Sequence, residues 1–254
     1  ILLAENNEGY RNLIKLVSIA NTDGFYYKPR IDHDLLARHA KGLIASSACL
    51  AGEIPQLILA GKEPEAAERT LLYRDIMGED NFFLEIMSNT LPEQALVNKA
   101  LVRISRDTGI PLIATSDAHY LGAEDFEWHK ILLRVNTRAD DTDDAFGFSV
   151  NDFYLRSPEE MDAFFGAELP QALDNTVAIA ERCSVDMKLK TGHYMLPSLE
   201  LQEGMTLDSH LEEEARAGLR MRLNMDTPPA EYAERLEYEL NVITRMGFSA
   251  YFLI

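Results

Sequence analysis

The chain has 254 residues, a net charge of −18, 46% hydrophobic residues and 26% charged ones. That composition is ordinary for a soluble globular protein and sufficient for one large core or two modest ones. The acidity argues against an extended nucleic-acid surface, because neutralising phosphates takes clustered Lys and Arg. No apolar run is long enough for a bilayer-spanning helix. Two cysteines, Cys49 and Cys183, do not make a disulfide framework, which fits a reducing, cytoplasmic setting.

The start, ILLAENNEGY, has no basic n-region, no small-residue cleavage site and no initiator Met. The end, AYFLI, stops in an apolar run. Both ends read as cut from a longer protein, with part of any active site outside the chain.

In chain order, residues 1–4 form a short apolar run suited to a buried strand. Leu13, Leu16, Val17 and Ala20 recur at helical spacing. The loop GFYYKPR places Tyr26 and Tyr27 beside Lys28 and Arg30. Such a set can touch nucleic acid, but a packed loop is the expectation. Asp32 is placed to cap the helix IDHDLLARHA. LIASSACL then reads as a buried strand, followed by helices in IPQLILAG and in PEAAERTLLYRDIMG, the latter stopped by Gly78. NFFLEIM is the next strand, LPEQALVNKALVRISRDTG an amphipathic helix ending at Gly109, and IPLIATSDAHY a strand that turns polar at its C-terminal end.

Strands near residues 1–4, 43–47, 82–87 and 111–116 alternating with long helices predict parallel βαβ units, as a partial α/β barrel or an open parallel sheet. Beyond residue 121 come the helix EDFEWHKILLRVN, an acidic loop RADDTDDAFG, a helix capped by Ser157, and the helix LPQALDNTVAIAERC. KLKTGHYMLPSLELQEGMT is rich in breakers, which predicts a boundary near Pro197. Two helices and GFSAYFLI follow.

The chemistry concentrates in TSDAHY. Asp117 and His119 stand two apart at a strand end, so a carboxylate and an imidazole can face one ion. In parallel α/β folds the C-terminal strand ends are where sites are built. Alone, a D-x-H pair is a weak motif, and a turn aspartate beside a partly exposed histidine is the simpler reading. Cys49, at the end of LIASSACL, offers a thiolate; a lone cysteine is also a small hydrophobe. Ser46 and Ser47 have no paired base and serve as hydrogen-bonding groups.

Glu85 lies inside an apolar strand. It is a possible ligand or a group bonding to ligands, or else a solvent-facing edge residue. Glu53 precedes a helix and suits its N-terminal dipole. His33, His39, His129 and His210 fall on amphipathic helices and are expected at the surface, while His193 lies in a loop. There is no phosphate-binding P-loop and no pair of strand aspartates for a two-metal polymerase centre.

The blocks LLAENNEGYRNLIKLVSIANTDGFYYKPRID, GLIASSACLAGEIPQLI, NFFLEIM, LPEQALVNKALVRIS, IPLIATSDAHYL, FYLRSPEEM, ALDNTVAIAERC, HYMLP and RLEYELNVITRMGFSAYFLI run through nearly the whole chain. In that order they resemble the α subunit of bacterial DNA polymerase III, a C-family replicative polymerase. The resemblance implies a PHP domain over residues 1–196, a partial, distorted (β/α)7 barrel with a metal cluster at its mouth. It implies a helical segment over residues 197–254 that enters the polymerase palm.

By motif it makes Cys49, Asp117 and His119 metal ligands; it lends nothing to Glu85, which stays a candidate for a place behind them on its own sequence context. The remaining ligands, an H-x-H pair, a T-D-H block, a Glu and a His, would precede Ile1. The aspartates that perform nucleotidyl transfer, with their Mg, would lie downstream, so no catalytic residue for polymerisation is in this chain. The fragment alone should be inactive. Implied partners are DNA, deoxynucleoside triphosphates, a sliding clamp and other replisome subunits, with no membrane. The PHP metal would be zinc or manganese, and the domain either a 3′→5′ exonuclease or a scaffold docking a proofreading subunit. A free-standing PHP phosphoesterase is disfavoured by the segment after Gln202, and a translesion paralogue is a further relative.

Overall fold

A computed structural model describes residues 1–137, 149–187 and 196–254. The acidic loop and His193 lie outside the described residues. The chain divides into two compact units, Ile1–Met187 and Lys188–Ile254.

The first unit is a mixed α/β layer. Its strands are β1 (Leu2–Ala4), β2 (Leu43–Ser46), β3 (Phe82–Met87) and β4 (Leu112–Thr115), hydrogen-bonded in that order. β2, β3 and β4 run parallel. β1 pairs antiparallel to β2, with Leu3 opposite Ile44, where an all-parallel arrangement was expected. The connection explains the reversal. Helix α1 (Asn7–Thr22) starts beside Gly42, and the loop through residue 32 with helix α2 (His33–Arg38) returns to that same end. Two traverses of the layer leave β2 running opposite to β1. β1 is also an edge strand rather than a buried one, since Ile1 and Leu3 are exposed.

The start of α1 is fixed by two contacts. Asn6 caps it, its carboxamide oxygen accepting from the amides of Glu8 and Gly9. Gly9 lies so close to Gly42 that a Cβ on it would stand 1.7 Å from the Gly42 carbonyl oxygen, so only glycine permits this approach. Asp32 caps α2 as expected, accepting from Leu35 N at 2.7 Å.

Helices α3 (Glu53–Leu59), α4 (Glu63–Met77) and α5 (Pro92–Thr108) cover one face of the sheet. There Leu43, Ala45, Phe82, Leu84, Ile86, Leu112 and Ala114 pack with Val97, Leu101 and Ile104 of α5. Gly109 closes α5 in the left-handed region, where a side chain would be strained. The opposite face carries Ile44, Phe83 and Ile113, packed under Ile179. β3 is therefore buried at every position, as a central parallel strand requires.

Helix α6 (Phe126–Thr137) follows β4. Helix α7 (Pro158–Met161) is capped reciprocally by Ser157 and Glu160 and runs into a π-turn at Asp162–Gly166. Helix α8 (Pro170–Arg182) lies along β4. Asn175 donates to Leu112 O at 2.8 Å and Thr176 to Ala114 O at 3.0 Å. Side chains thus satisfy carbonyls of β4. α8 also reaches the N-terminal region: Arg182 binds Glu5 at 3.0 Å and Ser184 N donates to Glu5 O at 2.8 Å.

The loop of Tyr26 and Tyr27 is not packed as expected. Phe25 and Tyr26 are exposed, and Tyr27 is 85% exposed with a φ of 60°. The Arg30 guanidinium covers the Tyr26 ring at 4.7 Å, so the loop is held by its own cation–π contact.

In the second unit, helix α9 (Leu207–Leu223) is capped by Thr206, and α10 (Ala230–Arg245) is joined to it by an Arg216–Glu237 ion pair. The short α11 (Ser249–Leu253) is tied to α9 by a hydrogen bond from Ser249 to Asp208. Leu211 and Leu240 form its buried centre.

Candidate metal centre

β2, β3 and β4 point the same way, so their C-terminal ends share one edge. Side chains alternate across the sheet. On the face of Ile44, Phe83 and Ile113, the next position towards that edge is polar on all three strands: Ser46, Glu85 and Thr115. Ser46 Oγ donates to Glu85 Oε2 at 2.5 Å, and Thr115 Oγ1 donates to Glu85 Oε1 at 2.8 Å. Glu85 N donates to Ser47 Oγ at 2.8 Å. Glu85 is 3% exposed. It is the buried, satisfied carboxylate of the two alternatives the sequence left open.

Just beyond this layer both outer strands leave the sheet by the same step. Ala48 stands two residues after Ser46 with φ 61°, and Asp117 two residues after Thr115 with φ 48°. Aspartate tolerates the left-handed region; alanine there costs about 1–2 kcal/mol. Ala48→Gly is expected to stabilise the protein by about 0.5–1 kcal/mol, the relief being partly offset by glycine's larger unfolded-state entropy. Urea unfolding measures it, and no gain would mean that the turn is unstrained.

Asp117 and His119 lie close together, though past the end of β4 and with Asp117 left-handed rather than along an extended strand. Asp117 Oδ1 lies 3.5 Å from His119 Nε2, and both side chains are part-exposed. His119 is anchored by its amide, which donates to Phe153 O at 2.7 Å, and its ring packs edge-on against Phe153. His129 of α6 was expected at the surface. It is half-buried, its ring 5.9 Å from that of His119 and 5.2 Å from that of Tyr120. Burial holds the His129 imidazole below its ordinary pKa, with His119 adding to the effect. Nothing in the sequence signalled this neighbour, because it depends on how α6 folds back.

Cys49 is a free, half-buried thiol three residues past β2, beyond the turn at Ala48. Among the described residues no group of three or more His, Cys, Asp or Glu side chains gathers to hold a metal. Asp117 and His119 therefore meet as a pair without Cys49. A carboxylate oxygen and an imidazole nitrogen are donor types that divalent cations take.

A separate cavity of about 540 Å³ is lined by His33, Ser46, Ser47, Glu53 and Tyr73 among others, and by none of Cys49, Asp117 and His119. The Tyr73 hydroxyl donates to Glu53 at 2.7 Å and meets His33 Nε2 at 3.2 Å, while Arg69 pairs with Glu53 at 2.9 Å. Burial and then the hydrogen bond to Glu53 push the Tyr73 pKa well up. Glu53 does begin α3, as its dipole role required; its partners add a side-chain anchor. His33, too, is half-buried rather than superficial.

The PHP domain family profile matches residues 1–89, and the profile described as the bacterial DNA polymerase III alpha NTPase domain matches residues 209–254. The DNA polymerase III subunit alpha of Borreliella burgdorferi is 42% identical over the whole chain, and that of Treponema pallidum 40%. That of Aquifex aeolicus is 38% identical, again over the whole chain.

The chain belongs to the DNA polymerase III alpha-subunit family.

It spans about a fifth of the length of these relatives, 22–23%. Within the family frame, the PHP match takes in Cys49 and Glu85, whereas Asp117 and His119 lie beyond its last residue. The alpha-subunit match begins inside α9. No helix among the described residues is long and apolar enough to cross a membrane.

Proposed function

We propose that this chain is the larger part of the PHP domain, residues 1–196, and the opening of the polymerase core, residues 197–254, of a DNA polymerase III alpha subunit. The parent would carry out DNA-templated DNA synthesis in chromosome replication, in the cytoplasm. Its partners would be DNA, deoxynucleoside triphosphates, a sliding clamp and other replisome subunits, and Mg would serve a polymerase site outside this chain. The observation that carries this is the identity of 38–42% to named alpha subunits over the whole chain.

Under this reading the sheet is part of a distorted (β/α)7 barrel. The parallel run of β2, β3 and β4 with helices α3, α4 and α5 over one face supports it. Asp117 and His119, with Cys49, would hold zinc or manganese together with ligands from elsewhere in the parent. A bound divalent ion would supply an activated hydroxide for phosphodiester hydrolysis, and hence 3′→5′ proofreading. The chain's own residues would orient the ion.

The test is elemental analysis of the full-length parent polymerase beside its Asp117→Ala and His119→Ala variants. Stoichiometric zinc or manganese, lost in both variants, is the expected result. A second reading is a scaffold that docks a separate proofreading subunit. Absence of metal from the parent would select it.

A further inference from the structure

We propose that Glu85 is a positioning residue that sets the separation of the two strand ends carrying Cys49 and Asp117 with His119. The proposal rests on the reading of those residues as metal ligands.

Three observations carry it. Glu85 sits on β3, between the strands that bear the candidate ligands, and each of its carboxylate oxygens takes one hydroxyl from one flanking strand. Those hydroxyls belong to Ser46 and Thr115, each two residues before the left-handed residue at which its strand turns off the sheet. The carboxylate therefore clasps β2 to β4 immediately beneath both turns.

Two residues back along the three strands stand Ile44, Phe83 and Ile113, which pack together as an apolar cluster. An apolar residue at 85 would extend that packing without the desolvation cost of a buried carboxylate, several kcal/mol in general. The core has no need of a carboxylate here. The strand ends above it do, because a two-oxygen acceptor fixes two donors at once. Thr115 and Asp117 are two residues apart, so a shift of Thr115 shifts the Asp117–His119 pair. Ser46 and Cys49 are three apart, with the same coupling on the other side. Groups that orient metal ligands from behind have this place and chemistry.

The experiment uses the full-length parent polymerase and Co²⁺ as probe. Co²⁺ reports both affinity and, through its d–d and thiolate charge-transfer bands, ligand geometry. Thr115→Val removes the hydroxyl at constant shape, Ser46→Ala removes its counterpart, and Thr115→Ser restores the donor. Thr115→Val and Ser46→Ala are expected to weaken Co²⁺ binding about tenfold or more and to alter the bands, with thermal midpoints little changed. Thr115→Ser should return both to the unsubstituted values.

Unchanged affinity and spectra in Thr115→Val and Ser46→Ala, with Co²⁺ still lost on Asp117→Ala, would overturn the positioning role and leave the metal reading intact. No Co²⁺ binding by the unsubstituted polymerase would overturn both. If Thr115→Val fails to fold, Ser46→Ala carries the same comparison from the opposite strand.

Discussion

Arg156→Ala is expected to destabilise the first unit by about 3–5 kcal/mol, the range for breaking a buried charge pair from one side. The side chains of Arg156 and Asp152 are 7% and 9% exposed. The guanidinium lies 3.9 Å from Asp152 Oδ2, donates to Ser88 Oγ at 3.0 Å and to the Tyr154 hydroxyl at 2.9 Å, and stacks over the rings of Tyr154 and Phe164. Asp152 Oδ2 in turn accepts from Thr90 N at 2.7 Å. Truncation would leave the Asp152 charge buried, holding only a backbone amide, and would open the space between two aromatic rings. Arg156→Lys keeps the charge but lacks the planar fork, so an intermediate loss is expected. Urea unfolding, followed by a probe near Trp128, measures both. A loss under about 1 kcal/mol for Arg156→Ala would show that water replaces the guanidinium at little cost.

Leu84→Ala is expected to cost about 3–5 kcal/mol. Leu84 has no exposed surface, lies in the central strand and packs in the cluster that includes Leu101, Val97 and Leu112. Strands on both sides and α5 above restrain collapse into the vacated space, so both the transfer and the cavity contributions are felt. Leu84→Met, which conserves volume, should stay below about 1.5 kcal/mol. Calorimetric or denaturant unfolding distinguishes the two. Equal effects would mean that shape rather than volume governs this position.

The strands were legible because their signal is local. Apolar runs near residues 43, 82 and 111 became β2, β3 and β4, and the caps at Asp32 and Ser157 follow from one side chain reaching a nearby amide. The direction of β1 was not legible. It depends on the loop after α1 making a second traverse, and no pattern within residues 1–4 encodes that. The closeness of Asp117 and His119 does not come from strand alternation, since β4 ends at Thr115 and Asp117 is left-handed; it depends on the turn that follows the strand. The neighbour His129 and the hydroxyl partners of Glu85 were not legible either, because Ser46 is 39 and Thr115 30 residues away in sequence. The exposed ring of Tyr27 departs from expectation for a related reason: Arg30 holds Tyr26 from within the loop, so no core is needed.

The tie between α8 and the N-terminal region has a temporal side. Arg182 to Glu5 and Asp186 to Asn7 join residues 177 and 179 positions apart. At a synthesis rate of roughly 5–20 residues per second, α1 would be made on the order of ten to forty seconds before its partners exist. During that interval the side chains of Glu5 and Asn7 lack these partners, and β1 is held to β2 by its register pairs and by the bond from Glu5 N to Gly42 O. The last turn of α8 therefore acts as a late latch. Slowing translation between residues 22 and 182 would lengthen the exposure of the nascent sheet edge to chaperones and proteases, with the finished fold unchanged.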